Sequence, residues 1–102
     1  MLVPPNLCQY PCADYFSSDW VENGCRDEVS QLMIIYPSSE IAEHWESGFL
    51  EVGRAGVDGI LFGYRANLPG IWAYYPIDHD YEQKANTLAE LVSGYLSGKI
   101  TV

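Results

Sequence analysis

Apolar residues recur at Leu88, Leu91, Val92, Tyr95 and Leu96, the spacing of an amphipathic helix wide enough to lie on a sheet. Thr87 and Glu90 form a capping box ahead of it, in which hydroxyl and carboxylate satisfy free backbone N–H groups. Gly98 stops the helix and Lys99 suits its negative end. Upstream the period changes to two. The run L-M-I-I-Y at 32–36, ended by Pro37, predicts a buried strand, and residues 49–52 predict a short one. Over residues 57–65, Ile60, Phe62 and Tyr64 alternate with Leu61, Gly63 and Arg65. Over residues 71–77, Ile71, Ala73, Tyr75 and Ile77 alternate with Trp72 and Tyr74. Turns at 53–56 and 67–70 make these strands antiparallel neighbours.

Between the first two strands, Pro37-Ser38-Ser39-Glu40 reads as a helix start. Ser38 is its N-cap, Glu40 sits near the positive end of the dipole, and Gly48 is the left-handed stop. Ile41 and Trp45 then share an inner face, with His44 on the outer or flanking side. Residues 1–30 are broken up by Pro4, Pro5, Asn6, Pro11 and Gly24, and Tyr15, Phe16, Trp20 and Val21 fit a short helix or a packed irregular segment. The pattern predicts a single α+β domain over 1–102, an antiparallel sheet of about four strands packed by the C-terminal helix.

Length and composition agree with one core. The chain has 102 residues, 48% hydrophobic and 14% aromatic, enough apolar surface to drive collapse. Its charge of -9 argues against nucleic acid and anionic membrane as partners, because phosphates meet a repelling field. The first dozen residues lack the charged and apolar run of an export signal, so a cytoplasmic protein is expected. Cys8, Cys12 and Cys25 are an odd set that suits a reducing compartment. Their spacing lacks the zinc-knuckle turn; a site completed by His44 or His79 is the rival to buried, inert thiols.

Three polar clusters compete for a function. Asp78-His79-Asp80-Tyr81-Glu82 reads as a solvated acidic loop; it lacks the calcium-loop pattern, and a general base there has no readable nucleophile. The glycines of 53–59 lack the Lys-Ser/Thr and the following helix of a phosphate loop, so turn chemistry explains them. From Asp14 to Glu46 there are eight acidic residues against one basic residue, Arg26. Asp19, Glu22, Asp27, Glu28, Glu40, Glu43 and Glu46 are therefore candidates for steering a basic protein partner, with solubility alone as the competing reading. Trp72 and Tyr74 join them as partner-binding candidates if their sheet face is open, beside Tyr64 or Arg65. If the N-terminal segment covers that face, they are core.

The stretch F-L-E-V-G-R-A-G-V-D-G-I-L-F-G-Y-R, a strand ending in Tyr75-Pro76-Ile77, an acidic loop and T-L-A-E-L-V-S-G-Y-L-S-G together resemble the SUKH superfamily over residues 32–100. Gly53, Gly56, Asp58 and Gly59 match the family's turn, and Leu88, Leu91 and Leu96 its closing helix. The family's opening helix is not matched by residues 1–30, as in a member diverged or truncated at the N-terminus. The resemblance implies a non-enzymatic protein-binding domain. Branches of the family include bacterial immunity proteins that neutralise toxins, often nucleases, and a fungal regulator of cell-wall glucan synthesis. A strongly acidic chain suits an inhibitor of a basic nuclease. No cofactor is implied. The alternatives are a domain binding a small ligand in an aromatic pocket, a small acid–base enzyme using His79 or His44 with Asp78 or Asp80, and a homodimer formed through an exposed sheet face.

Overall fold

The computed structural model describes residues 3–28, 31–56 and 58–102. A 3-10 turn, Pro5–Leu7, leads into two short helices, α1 (Ala13–Phe16) and α2 (Trp20–Asn23). Seven strands follow: β1 (Cys25–Asp27), β2 (Leu32–Ile35), β3 (Ala42–His44), β4 (Phe49–Arg54), β5 (Leu61–Arg65), β6 (Leu68–Tyr75) and β7 (Asp80–Ala85). Helix α3 (Leu88–Ser97) closes the fold. All strand pairs are antiparallel, in the order β1-β2-β4-β5-β6-β7. β3 pairs with the first half of β4, on the edge that β2 takes at Gly53.

The fold is the expected α+β class, with more strands than the expected four. The four expected strands correspond to β2, β4, β5 and β6; β1, β3 and β7 are additional. The expected helix after Pro37 does not form. Residues 38–40 make a turn, Ala42–His44 is strand, and residues 45–48 close a hairpin in which Gly48, at φ 68°, bonds back to the His44 carbonyl. The local cap signal loses to a ladder: Ala42, Glu43 and His44 pair with Glu51, Leu50 and Phe49. Ile41 still packs on the core, whereas Trp45 is 75% exposed. The loop expected at 78–82 is a turn only as far as His79, after which the chain runs along β6 as β7. The turn expected at 67–70 is tighter, with Asn67 at φ 62° and β6 already begun at Leu68. Val57, the expected start of the third strand, lies outside the described residues.

Strand alternation builds the core on one face. Leu50, Val52, Ile60, Phe62, Tyr64, Ile71 and Ala73 are buried there against Leu88, Leu91 and Val92 of α3. Leu7, Tyr10, Cys12, Tyr15 and Phe16 of the N-terminal segment join the same cluster. At its ends the expected inward pattern fails: Ile77 is 76% and Leu96 49% exposed, since β6 stops at Tyr75 and the helix has turned Leu96 away from the sheet. The capping box forms in modified shape. Glu90 N–H donates to Thr87 Oγ1 over 3.1 Å, and the Glu90 carboxylate accepts from Asn86 N–H at 3.3 Å. Gly98 takes the left-handed cap at φ 83°.

Candidate functional site

The other face of the same sheet carries a second cluster, made of rings. Phe49 is only 2% exposed, yet it stands outside the main core. Its ring lies over Gly63, which pairs with Glu51 on one side and Trp72 on the other. A Cβ on Gly63 would come within 2.8 Å of Phe49 Cζ and would collide with the Leu50 carbonyl oxygen, so glycine is the residue that admits the ring. The Phe49 centroid is 5.6 Å from Tyr81, 6.1 Å from Tyr74 and 6.4 Å from His44, and Tyr74 and Tyr81, paired across β6 and β7, are 5.0 Å apart. Arg65 Cζ sits 4.2 Å from the Tyr81 centroid and 4.9 Å from that of Trp72, a guanidinium shared by two π faces. Trp72 Nε1 donates to the Pro69 carbonyl over 3.0 Å, which fixes the indole plane.

Polar groups close both ends of this platform. Glu51 Oε2 accepts from the Tyr36 hydroxyl at 2.6 Å, and Oε1 lies 2.9 Å from His44 Nε2. Burial, and after it the bond to Glu51, holds the Tyr36 phenol well above its ordinary pKa, so it stays a donor. At the other end the Tyr74 hydroxyl is 3.1 Å from His79 Nδ1. Both histidines of the chain thus sit at this cluster. A cleft of about 400 Å³ includes Tyr36, Glu51, Arg54 and Leu61 in its lining, and a smaller one of about 150 Å³ lies among His44, Ser47, Phe49, Leu61, Tyr74 and Tyr81. A carboxylate-held imidazole can orient a ligand or move a proton. The neighbouring Ser47 hydroxyl is engaged by the His44 carbonyl.

Of the residues expected to bind a partner, Trp72 and Tyr74 come together here, half-buried, on the face opposite the one where the described N-terminal residues pack. Arg65 is their neighbour; Tyr64 points into the core. The acidic candidates are not gathered by one element. Asp19 precedes and Glu22 lies in α2, Asp27 ends β1 and Glu28 is in the turn after it, Glu40 is in the turn before β3, and Glu46 is in the β3–β4 loop. Glu43 sits on a strand, not beside Glu40 on a helix. Its Oε2 accepts from the Tyr10 hydroxyl at 2.9 Å and from Gln9 Nε2 at 3.1 Å, so it anchors the N-terminal segment. Burial first, and Glu43 second, push the Tyr10 phenol up to about 12.

His79 faces Tyr74, and Asp80 Oδ1 accepts the N–H of Tyr81 at 2.9 Å. Among the cysteines, Cys12 is buried, which pushes its thiol up to about 11; Cys25 is half-buried and Cys8, contrary to the buried reading, is exposed. Among the described residues no group of three His, Cys, Asp or Glu side chains could hold a metal ion, and no helix is long and apolar enough to cross a membrane.

Sequence reasoning did not single out Phe49, Glu51, Tyr36 or Tyr81. The available signal was parity: Phe49 and Glu51 alternate with Leu50 and Val52, and Tyr81 pairs with Tyr74 once 80–85 is recognised as strand. Compared with protein-family models, with curated proteins and with solved structures, the chain matches none.

Proposed function

We propose that this chain is a non-catalytic, cytoplasmic protein-binding module of SUKH type, an immunity protein that neutralises a basic toxin, with its contact centred on Arg65, Trp72, Tyr74 and Tyr81. The observation that carries the reading is this half-buried set of one arginine, one tryptophan and two tyrosines on a sheet face to which the core elements do not extend. These are the residue types that dominate interface hot spots, because they desolvate large areas at small entropic cost. The net charge of -9 supports a basic partner. It acts through the long-range field, which raises encounter rates and rejects acidic competitors, while the rings supply short-range contact.

A small ligand in the cleft among His44, Phe49, Leu61, Tyr74 and Tyr81 is the second reading, favoured by the carboxylate-held imidazole at its rim. The test is affinity for a captured basic protein. Trp72→Ala and Tyr81→Ala should each weaken it by about tenfold or more with the fold intact, and association should slow as salt rises from about 50 to 500 mM. An acidic partner, or one indifferent to both substitutions, overturns the reading. A dimer that Trp72→Ala dissolves would assign the face to self-association instead.

A further inference from the structure

We infer that the partner engages the outer edge of β7 by strand addition, with an extended segment that alternates apolar and basic side chains; this rests on the protein-binding reading above. β7 is the last strand in the sheet order, and its ladder to β6 runs from Tyr75↔Asp80 to Ile71↔Ala85. Among the described residues no other segment forms a backbone–backbone hydrogen bond with β7. The N–H and C=O groups of alternate residues therefore face outward along a strand twice the length of β1 or β3. Such a row is a template for another strand.

The side chains of β7 specify what fits. Tyr81 and Gln83 pair with Tyr74 and Trp72, so they lie on the ring-bearing face; a residue added beside Tyr81 meets an aromatic wall backed by Arg65. Asp80 and Glu82 pair with Tyr75 and Ala73, so they lie on the other face, and both are exposed. Lys84, the basic residue of the strand, is taken up by Glu82, the Thr101 carbonyl and the Tyr75 ring. An incoming strand thus finds apolar surface on one side and, on the other, the exposed Asp80 carboxylate beside a Glu82 carboxylate shared with the largely covered Lys84, a face of net negative charge that selects alternate apolar residues and Lys or Arg. The same carboxylates disfavour a second copy paired about Tyr81, where Asp80 of one copy would face Glu82 of the other.

The test uses the full chain and a capped synthetic peptide of about eight residues, alternating valine and lysine, a typical strand length. Binding should slow hydrogen exchange at alternate β7 amides by about tenfold or more. N-methylation of the peptide on its pairing edge should abolish this, whereas N-methylation of the other edge should not. Glu82→Lys should weaken the lysine peptide by about tenfold and favour its glutamate counterpart. No binding at millimolar peptide, unprotected β7 amides, indifference to which edge is methylated, or equal binding of the glutamate peptide overturns strand addition. A protein partner lost with Trp72→Ala that leaves β7 exchange unchanged overturns this inference alone. A partner that protects β7 yet ignores Trp72→Ala and Tyr81→Ala overturns the face reading alone.

Discussion

The Tyr64 hydroxyl donates to Asp14 Oδ1 over 2.6 Å, joining the middle of β5 to α1 across 50 residues of chain. The same carboxylate accepts the N–H of Leu88 on Oδ2 at 2.7 Å, so one side chain ties the N-terminal segment, the sheet and the first turn of α3. A carboxylate at a helix N-terminus is favoured by the free N–H groups and by the dipole. Asp14→Ala should cost about 3 kcal/mol, because it strands a buried hydroxyl and a helix N–H together. Tyr64→Phe should cost about 1 kcal/mol, since Asp14 keeps its helix partner. Urea unfolding measures both; a cost for Asp14→Ala no larger than that of the exposed Glu22→Ala would remove the junction from the account.

Leu91 and Leu96 have the same residue type on the same helix and opposite fates, fully buried and 49% exposed. Leu91→Ala should cost about 2 to 5 kcal/mol and Leu96→Ala within about 0.5 kcal/mol. Thermal melts of the two variants compare them directly, and equal shifts would contradict the packing of α3.

Gly63→Ala tests the seat of the ring cluster. The added methyl has no room between the Leu50 carbonyl and Phe49, so stability should fall by about 1 to 3 kcal/mol and the near-ultraviolet circular dichroism of the stacked rings should change. Phe49→Leu in the same background should recover part of the loss by clearing the ring. An unchanged spectrum in Gly63→Ala would show that Phe49 does not rest there.

Buried phenols set an alkaline limit. Burial pushes Tyr15 up to about 12, and Tyr10 reaches about 12 through burial and then Glu43. Tyr36 and Tyr64 are raised as well, by burial first and then by Glu51 and Asp14. An unfolded chain releases phenolic protons near pH 10, which the native state retains, so stability is full below about 10 and falls as pH rises from about 10 to 12. Urea midpoints measured across that window should decline steadily, with phenolate absorbance appearing in step with unfolding. A flat profile would contradict the buried hydroxyl bonds.

Elements whose partner is already built into local periodicity were legible from residue order. Helix α3 announces itself through Thr87, its apolar stripe and Gly98, and β5 through the alternation of Ile60, Phe62 and Tyr64, because each buries one face and a one-residue slip would expose it. Trp72 and Tyr74 were legible as a pair opposite Ile71 and Ala73 for the same reason. What the residue order left open was decided by pairing at a distance. Ala42–His44 follows the helix-start signal of Pro37-Ser38-Ser39-Glu40 and becomes strand because β4 offers Phe49, Leu50 and Glu51 as partners. Asp80–Ala85 buries only Ala85 and so shows no apolar alternation, yet its backbone completes a ladder with β6. The joining of Tyr36, His44 and Glu51, and of Arg65 with Trp72 and Tyr81, follows from those registers. Local sequence encodes which face a residue prefers; only the folded sheet determines which residues share that face, because hydrogen-bonded register is a relation between segments and not a property of either one.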